Sequence, residues 1–307
     1  MKGDGKPRSV RNDATIRKDR SERHVRTLQA VGLFACAAWR RPSAFFNGRR
    51  VAFIAVRDKL GNVNRNESPL VLAIAAHRDD VEQTCGGTLL VQQQLGYRTA
   101  ILDLTRGEAG TRGTAAEREA EADAAAAILG VEHREALDLP DGSIVTSIEN
   151  RLKVAAVIRR LKPRVVILPY WTGRHPDHYT ASTLGYEACF AAGLSKLGLE
   201  SEGTTLQPHR PFKILYASLY AEVRPTFVVD ITPHIETRLR SLLAYRSQYG
   251  NRPEGSDLFV PEEEIRERTY ALARHYGLLA GVRYAEPFVQ KEISLAADLM
   301  QIPVASI

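Results

Sequence analysis

The stretch Val71-Leu72-Ala73-Ile74-Ala75, followed at once by Ala76-His77-Arg78-Asp79-Asp80-Val81-Glu82, decides the expected fold. An apolar run of five residues that leads into charged residues is typical of a buried strand in a parallel sheet. A second run of this kind, Val165-Val166-Ile167-Leu168-Pro169, precedes Arg174-His175-Pro176-Asp177-His178. In open α/β sheets the functional residues collect beyond the carboxyl ends of the strands. The two His/Asp clusters are therefore expected to meet at one edge of the sheet.

Strand-like and helical patterns alternate along the chain from residue 70 onward. The strand patterns cover residues 71–76, 99–104, 135–139 and 164–169. The helical patterns cover residues 86–95, 115–129 and 148–161, and a further helix is expected from Asp177 to Ala192. This alternation predicts the α/β fold class: a Rossmann-like three-layer sandwich with a mainly parallel sheet, in a single domain with an N-terminal extension.

The C-terminal third of the chain has weaker patterns. Residues 212–219 and 226–231 are expected to be strands that extend the sheet or form a small cap. Two terminal helices are expected at about residues 233–248 and 261–276.

The positive charge of the chain is concentrated at its N-terminus. The 307 residues carry a net charge of +6, but residues 1–70 hold 16 basic and 6 acidic residues, so the remainder is mildly acidic. A nucleic-acid-binding face on the main domain is therefore not expected. Residues 1–68 are interpreted as a basic, disordered extension or as sequence upstream of the true start, with an arm for an acidic partner as the alternative. Residues 69–307 are interpreted as the functional domain.

Apolar runs and cysteines bear on the location of the protein. The longest apolar stretch, residues 28–39, is well short of the ~20 residues that span a bilayer, so no membrane span is expected. The three cysteines, Cys36, Cys85 and Cys189, are far apart and form no CxxC motif. This usage is typical of a reducing compartment and predicts a cytoplasmic protein without structural disulfides.

The first cluster has the spacing of a metal site. Directly after a strand, residues i and i+3 of a tight turn, here His77 and Asp80, can converge on one point. His178 would supply a third ligand from the second cluster. Two nitrogens and one carboxylate oxygen, with a fourth position open to water, match a catalytic Zn²⁺ site, although Fe²⁺ or Mn²⁺ accepts similar ligands.

The neighbouring residues suit hydrolysis at such a metal. Asp79 is the candidate general base for the attacking water. His175, one helical turn before His178, could stabilise the developing oxyanion and protonate a departing amine, with Asp177 orienting it. Either cluster alone is more typical of a capped helix start than of a ligand set, and Glu82 is interpreted as a carboxylate near a helix N-terminus. Their joint occurrence after two buried strands favours the metal site.

These residues carry a resemblance to a known family. AHRDDVE (76–82) is similar to the AHPDDxE signature of the LmbE-like/PIG-L zinc-dependent N-acetylglucosaminide deacetylases, and RHPDH (174–178) is similar to that family's HxDH motif. The resemblance runs from about Val71 to Glu292 and is closest to the branch that deacetylates N-acetylglucosaminyl-L-malate in bacillithiol biosynthesis. The further stretches that resemble this branch are LDLTRGEAGTRGT (102–114), LDLPDG (137–142), LPYWTGRHPDH (168–178), FAAGLSKL (190–197), PHRP (208–211), FVVDI (227–231) and AYRSQY (244–249).

The resemblance implies a role for each matching position. Zinc would be bound by His77, Asp80 and His178, the general base would be Asp79, the second catalytic group would be His175, and substrate would be contacted by Arg118. From the residues alone, Arg118 would pass as a solvated helix residue paired with Glu121. Arg78 replaces the family's proline and is expected to point to solvent unless it contacts an anionic substrate.

The partner is then a small amino-sugar conjugate, and a homo-oligomer is left open. Two alternatives remain: a deacetylase of another conjugate, such as an inositol glycoside or a glycolipid, and a non-catalytic Rossmann-like nucleotide-binding module. The latter would need a GxGxxG loop after the first strand, where this chain offers only Gly86-Gly87.

Overall fold

The computed structural model of the protein describes residues 70–219, 221–250, 261–302 and 304. The expected extension over residues 1–68 lies outside these residues. Among the helices that are described, none combines the length and the apolar character needed to cross a membrane.

Nine strands and eight α-helices are described. The strands are β1 (Leu70–Ala75), β2 (Arg98–Asp103), β3 (His133–Ala136), β4 (Val165–Pro169), β5 (Glu200–Ser201), β6 (Thr204–Thr205), β7 (Lys213–Ala217), β8 (Phe227–Asp230) and β9 (Ala285–Val289). The helices are α1 (Asp80–Thr84), α2 (Gly86–Gln94), α3 (Ala115–Leu129), α4 (Ile148–Leu161), α5 (Pro176–Ala192), α6 (Ile235–Leu242), α7 (Arg246–Tyr249) and α8 (Glu262–Leu279). A 3₁₀ helix covers Leu299–Gln301.

The main sheet has seven strands in the order β3-β2-β1-β4-β7-β9-β8. The first five are parallel, and β9 runs antiparallel to both β7 and β8. The predicted α/β class with a mainly parallel sheet is therefore confirmed, and the strands at 213–217 and 227–230 extend the sheet. Strand β9 was not predicted, because Glu286 and Pro287 are residues that rarely occupy a central strand.

The apolar residues of β1 alternate between the two faces of the sheet. Leu70, Leu72 and Ile74 belong to a core that includes residues of α4 and α5. The intervening residues, Val71, Ala73 and Ala75, belong to a second core on the other face, with Val81 and Leu89 of α1 and α2. The strand is buried on both sides, which is why its sequence is a continuous apolar run.

The helix ends follow local signals. Helix α3 begins after Thr114, which forms a capping box with Glu117, and ends at Gly130 in the left-handed conformation. Both of its predicted boundaries agree with the structure. The helix expected over residues 233–248 is divided instead into α6 and α7, with a break at residues 243–245.

A buried ion pair anchors the region after β1. Glu286 of β9 accepts hydrogen bonds from the backbone nitrogen atoms of Gly87 (2.9 Å) and Thr88 (2.6 Å) at the start of α2. Its carboxylate also lies 3.0 Å from Nε of Arg238 in α6. The carboxylate thus accepts hydrogen bonds from backbone amides that have no acceptor within the helix, and it neutralises a buried guanidinium.

We expect Glu286→Ala to lower the free energy of unfolding by about 3–5 kcal/mol, because it leaves a buried cation without its partner. The measurement is the urea midpoint followed by circular dichroism. Glu264→Ala is the matched control, since Glu264 pairs with Arg268 on the exposed face of α8 and should cost less than about 1 kcal/mol. Equal midpoints for the two variants would contradict this account of the anchor.

Candidate active site and metal centre

The turn after β1 forms the first half of the site. Asp79 adopts a left-handed conformation with φ of 93°, which aspartate tolerates better than most residues, and α1 begins at Asp80. The backbone nitrogen of His77 donates to Oδ2 of Asp80 at 2.9 Å. This contact closes the turn and brings the side chains of His77 and Asp80 to the same side.

The start of α5 forms the second half. His175 caps the helix, with its Nδ1 accepting a hydrogen bond from the backbone nitrogen of Asp177, and Pro176 occupies the first helical position. His178 follows one turn after His175, and their ring centroids are 5.0 Å apart. Because β1 and β4 are parallel neighbours, the two halves lie at the same edge of the sheet.

Three predicted ligand side chains converge there. Nδ1 of His77 lies 3.2 Å from Nε2 of His178 and 3.6 Å from Oδ2 of Asp80. Nε2 of His178 lies 3.3 Å from Oδ1 of Asp80. Ligand atoms that share a tetrahedral ion at ~2.0–2.1 Å lie roughly 3.3–3.4 Å apart. Two different oxygens of Asp80 make these contacts, Oδ2 with His77 and Oδ1 with His178, so the two ring nitrogens and the whole carboxylate lie close enough to share one divalent cation.

Among the described residues, two groups offer one ligand atom from each of three side chains, with all three atoms within 4.8 Å of one another. One joins His175 to His77 and His178, and the other joins Asp141 and Asp177 to His77. In the second group both carboxylates face Nε2 of His77, whereas Asp80 and His178 face Nδ1. The imidazole of His77 thus has carboxylates at one nitrogen and the other candidate ligands at the second.

The charges at this point favour a cation. Burial alone would lower the pKa of His77, but Asp141, Asp177 and Asp80 outweigh it and raise that pKa to about 12. Burial alone would raise the pKa of Asp80, but the adjacent His178 and His77 hold it well below its usual value. The negative charges of the carboxylates that hold a proton on this imidazole also favour the binding of a metal ion.

Asp79 is buried beside this cluster with polar partners of its own. Nη2 of Arg118 lies 3.3 Å from its Oδ1, and Oδ2 accepts hydrogen bonds from Oη of Tyr249 and from Nε2 of Gln83. Burial raises the pKa of Asp79 to about 6, although Arg118 opposes the shift. Tyr249 was not identified from the sequence as a site residue, because its link to Asp79 spans 170 positions.

Arg118 is part of the site rather than a solvated helix residue. It is 5% exposed, and its Nη2 donates to the backbone oxygen of Arg78 at 2.7 Å as well as facing Asp79. Glu121 binds the backbone nitrogen and the hydroxyl of Ser247 instead of pairing with Arg118. Since α3 packs this face against the turn after β1, its sequence pattern alone did not reveal the burial.

Two further side chains of the first cluster, Arg78 and Glu82, are buried. Arg78 does not point to solvent: it is 4% exposed, with Nη2 3.5 Å from Glu119. Its Nε and Nη1 are buried without a hydrogen-bond partner in the part of the chain that the structure describes. Glu82 lies in the first turn of α1, as predicted, and its buried carboxylate lies 2.7 Å from Nη1 of Arg134, which also binds Asp103. This buried network ties α1 to β2 and β3.

The second cluster requires one correction. The sequence analysis predicts that the carboxylate of Asp177 orients His175, but the structure gives this carboxylate other partners. It accepts hydrogen bonds from the backbone nitrogen atoms of Gly142 (2.8 Å) and Ile144 (3.2 Å) and lies 3.3 Å from Nε2 of His77. The backbone nitrogen of Asp177 donates to Nδ1 of His175. The loop after β3 thus supplies two backbone amides that find their acceptor in this carboxylate.

Asp141 was also missed by sequence reasoning, although a signal for it exists. Its Oδ1 lies 3.1 Å from Nε2 of His77. It follows β3 in the stretch Leu-Pro-Asp-Gly. Its position after a strand of the sheet is the signal that could have identified it as a candidate site residue.

A small cavity lies against Asp80 and His178 at the carboxyl ends of β1, β4 and β7. Its other walls are mostly apolar and include Val81, Ile167, Pro169, Tyr170, Ala217 and Leu219.

Comparisons with known proteins agree with this geometry. Residues 72–189 match the PIG-L family, described as GlcNAc-PI de-N-acetylase. Diacetylchitobiose deacetylase of Thermococcus kodakarensis is 34% identical over 254 residues, which cover 78% of this chain and 91% of that protein.

Solved structures show the same fold. The conserved protein TT1542 of Thermus thermophilus is 41% identical, with a TM-score of 0.66 over 75% of this chain and 97% of that one. The N,N'-diacetylchitobiose deacetylase of Pyrococcus horikoshii is 25% identical, with a TM-score of 0.62 over 73% of this chain and 84% of that one. The chain therefore belongs to the PIG-L family and is a deacetylase that hydrolyses N-acetyl groups.

Proposed function

We propose that the protein removes the acetyl group from an N-acetylglucosamine conjugate with a divalent cation, Zn²⁺ in the first place, held by His77, Asp80 and His178. The observation that carries the proposal is the set of 3.2–3.6 Å separations among their ligand atoms. When bound, such a cation polarises the acetyl carbonyl and lowers the pKa of a bound water from ~15.7 toward ~7. Fe²⁺ is the alternative ion, since it accepts the same ligands.

The side chains around the ligands complete the chemistry. Asp79 takes a proton from water as the water oxygen bonds to the acetyl carbon. Arg118 and Tyr249 hold the carboxylate of Asp79 in place for this step. His175, whose ring lies 4.7 Å from that of His77, gives a proton to the amine nitrogen as the C–N bond breaks. The products are acetate and a free amino sugar.

The proposed substrate is N-acetylglucosaminyl-L-malate, of bacillithiol biosynthesis. Its support is the series of ordered stretches that resemble that branch, together with cationic donors beside Asp79. Nε of Arg118, and Nε and Nη1 of Arg78, are buried without hydrogen-bond partners among the described residues. Buried guanidinium donors are costly unless they are satisfied, and a substrate carboxylate would satisfy them. Arg112, another arginine near the site, donates to the backbone oxygen of Gln248.

Diacetylchitobiose is the second candidate substrate, because a deacetylase named for it is 34% identical to this chain. Inositol glycosides and glycolipids have no comparable support beyond the family description. A nucleotide-binding module is no longer a candidate, since the chain is a deacetylase.

We also propose a cytoplasmic location, because Cys85 and Cys189 are buried, unpaired thiols.

The first test concerns the metal. We expect dialysis against a chelator to abolish deacetylation, and added Zn²⁺ or Fe²⁺ to restore it. His178→Ala should bind Zn²⁺ more than about 100-fold more weakly, because removing a ligand costs more than removing a residue behind it. His275→Ala, an exposed histidine of α8, is the control. Undiminished Zn²⁺ affinity in His178→Ala would refute the ligand set.

The second test concerns the base. Asp79→Asn should lower kcat by ~10²–10⁴-fold, because the amide cannot accept the proton, while Zn²⁺ content stays at the level of the unmodified protein. Asp123→Asn, on the exposed side of α3, should leave kcat unchanged. Steady-state kinetics and elemental analysis measure both effects. Full activity in Asp79→Asn would remove the residue from the mechanism.

The third test separates the two substrates. We expect a higher kcat/KM for N-acetylglucosaminyl-L-malate than for diacetylchitobiose. Arg78→Gln should lower the malate value by ~10–100-fold, since a hydrogen bond to a charged group contributes about 1.5–3 kcal/mol. The chitobiose value should not change. Arg98→Gln, at the opposite end of the sheet, is the control. Equal losses of kcat/KM on both substrates would show that Arg78 does not bind the malate carboxylates.

A further inference from the structure

Asp141 joins two parts of the molecule through one carboxylate. Its Oδ1 lies 3.1 Å from Nε2 of His77, and its Oδ2 accepts a hydrogen bond from the backbone nitrogen of Ala109 at 2.9 Å. Its own backbone nitrogen donates to Oε1 of Glu108 at 2.8 Å. The side chain is 8% exposed. Asp141 therefore contacts both a proposed metal ligand and the loop after β2.

The contact with His77 determines where the other nitrogen of that ring points. An imidazole is rigid, so fixing Nε2 also fixes the direction of Nδ1, which faces Asp80 and His178. Asp177 lies at 3.3 Å from the same Nε2, but its oxygens also accept hydrogen bonds from two backbone amides of the loop after β3. The carboxylate of Asp141 makes the shorter contact to the ring.

The contact with Ala109 holds the loop of residues 106–113. This loop is also tied by an ion pair between Arg106 and Asp138. Its glycines pack on Arg118: a Cβ added at Gly107 would lie 2.7 Å from Nη1 of that arginine. The position of the loop therefore affects the guanidinium that holds Asp79, and Asp141 links this position to the ring of His77.

We propose that Asp141 is a positioning residue that couples metal affinity to the loop of residues 106–113. It orients His77 for metal binding and, through the same carboxylate, holds the loop that packs on Arg118. The inference rests on the proposed function, because His77 must be a metal ligand for its orientation to matter. A residue that only closed the turn after β3 would not affect metal binding.

The experiment measures Zn²⁺ affinity by competition with a chromophoric chelator, and separately kcat and KM, in the full chain. We expect Asp141→Ala to weaken Zn²⁺ binding by ~10–100-fold, as loss of a carboxylate behind a metal-binding histidine does in other sites. It should also raise KM, because the loop is released. Asp141→Asn keeps the size of the side chain and removes its charge, and should still weaken Zn²⁺ binding by ~10-fold.

Glu108→Ala is the matched control. It removes the hydrogen bond to the backbone of Asp141 without touching His77, so it should raise KM and leave Zn²⁺ affinity within about threefold of the unmodified protein. The proposal is overturned if Asp141→Ala and Asp141→Asn both bind Zn²⁺ as the unmodified protein does, or if Glu108→Ala weakens Zn²⁺ binding as much as Asp141→Ala.

The urea midpoint of each variant shows whether it is folded, and Asp141→Asn is the conservative change in case the alanine variant is not. Because Zn²⁺ affinity is measured without substrate, the result stands apart from the identity of the sugar. If the protein deacetylated neither proposed conjugate but Asp141→Asn still lost Zn²⁺ affinity, the proposed substrates would fail and the positioning role would remain.

Discussion

Parallel pairing of β1 with β4 is the constraint on which the site depends. From β1 the sheet grows through β2 and β3 in one direction and through β4 and β7 in the other. The loops that follow β1 and β4 therefore diverge and leave a crevice between them. Two histidines that are 101 positions apart in sequence meet there, with ring nitrogen atoms 3.2 Å apart. Neither cluster would form a three-ligand group if the two strands were not neighbours.

Burial of several carboxylates at one place is costly, and the partners of each one determine its protonation. Asp79 and Asp80 are consecutive and both buried, yet burial raises the pKa of Asp79 to about 6, while histidines hold that of Asp80 well below its usual range. Two adjacent carboxylates with such different environments fit the different tasks that we propose for them, proton transfer and cation binding. The buried pairs of Glu82 with Arg134 and of Glu286 with Arg238 then keep the helices after β1 in position.

The local sequence pattern was sufficient to predict most strands of the parallel sheet and the helices between them. The boundaries of α3 and α4 follow from capping residues and apolar spacing, which are properties of consecutive residues. Strand β9 escaped prediction because its Glu286 is acceptable in the core only with Arg238 and the start of α2 as partners. The break between α6 and α7 at residues 243–245 likewise could not be predicted, because the sequence has no helix breaker such as proline there.

By itself the sequence determined which strands carry polar clusters at their ends, and hence that His77, Asp80 and His178 would lie together. This was enough because the direction of parallel strands fixes which loops share an edge. Only the tertiary structure decided that Asp141 and Tyr249 belong to the site, that Arg78 and Arg118 are buried, and that the carboxylate of Asp177 faces His77 rather than His175. These facts depend on how loops and helices from distant parts of the chain pack over the sheet edge, and periodicity and motif spacing carry no record of that packing.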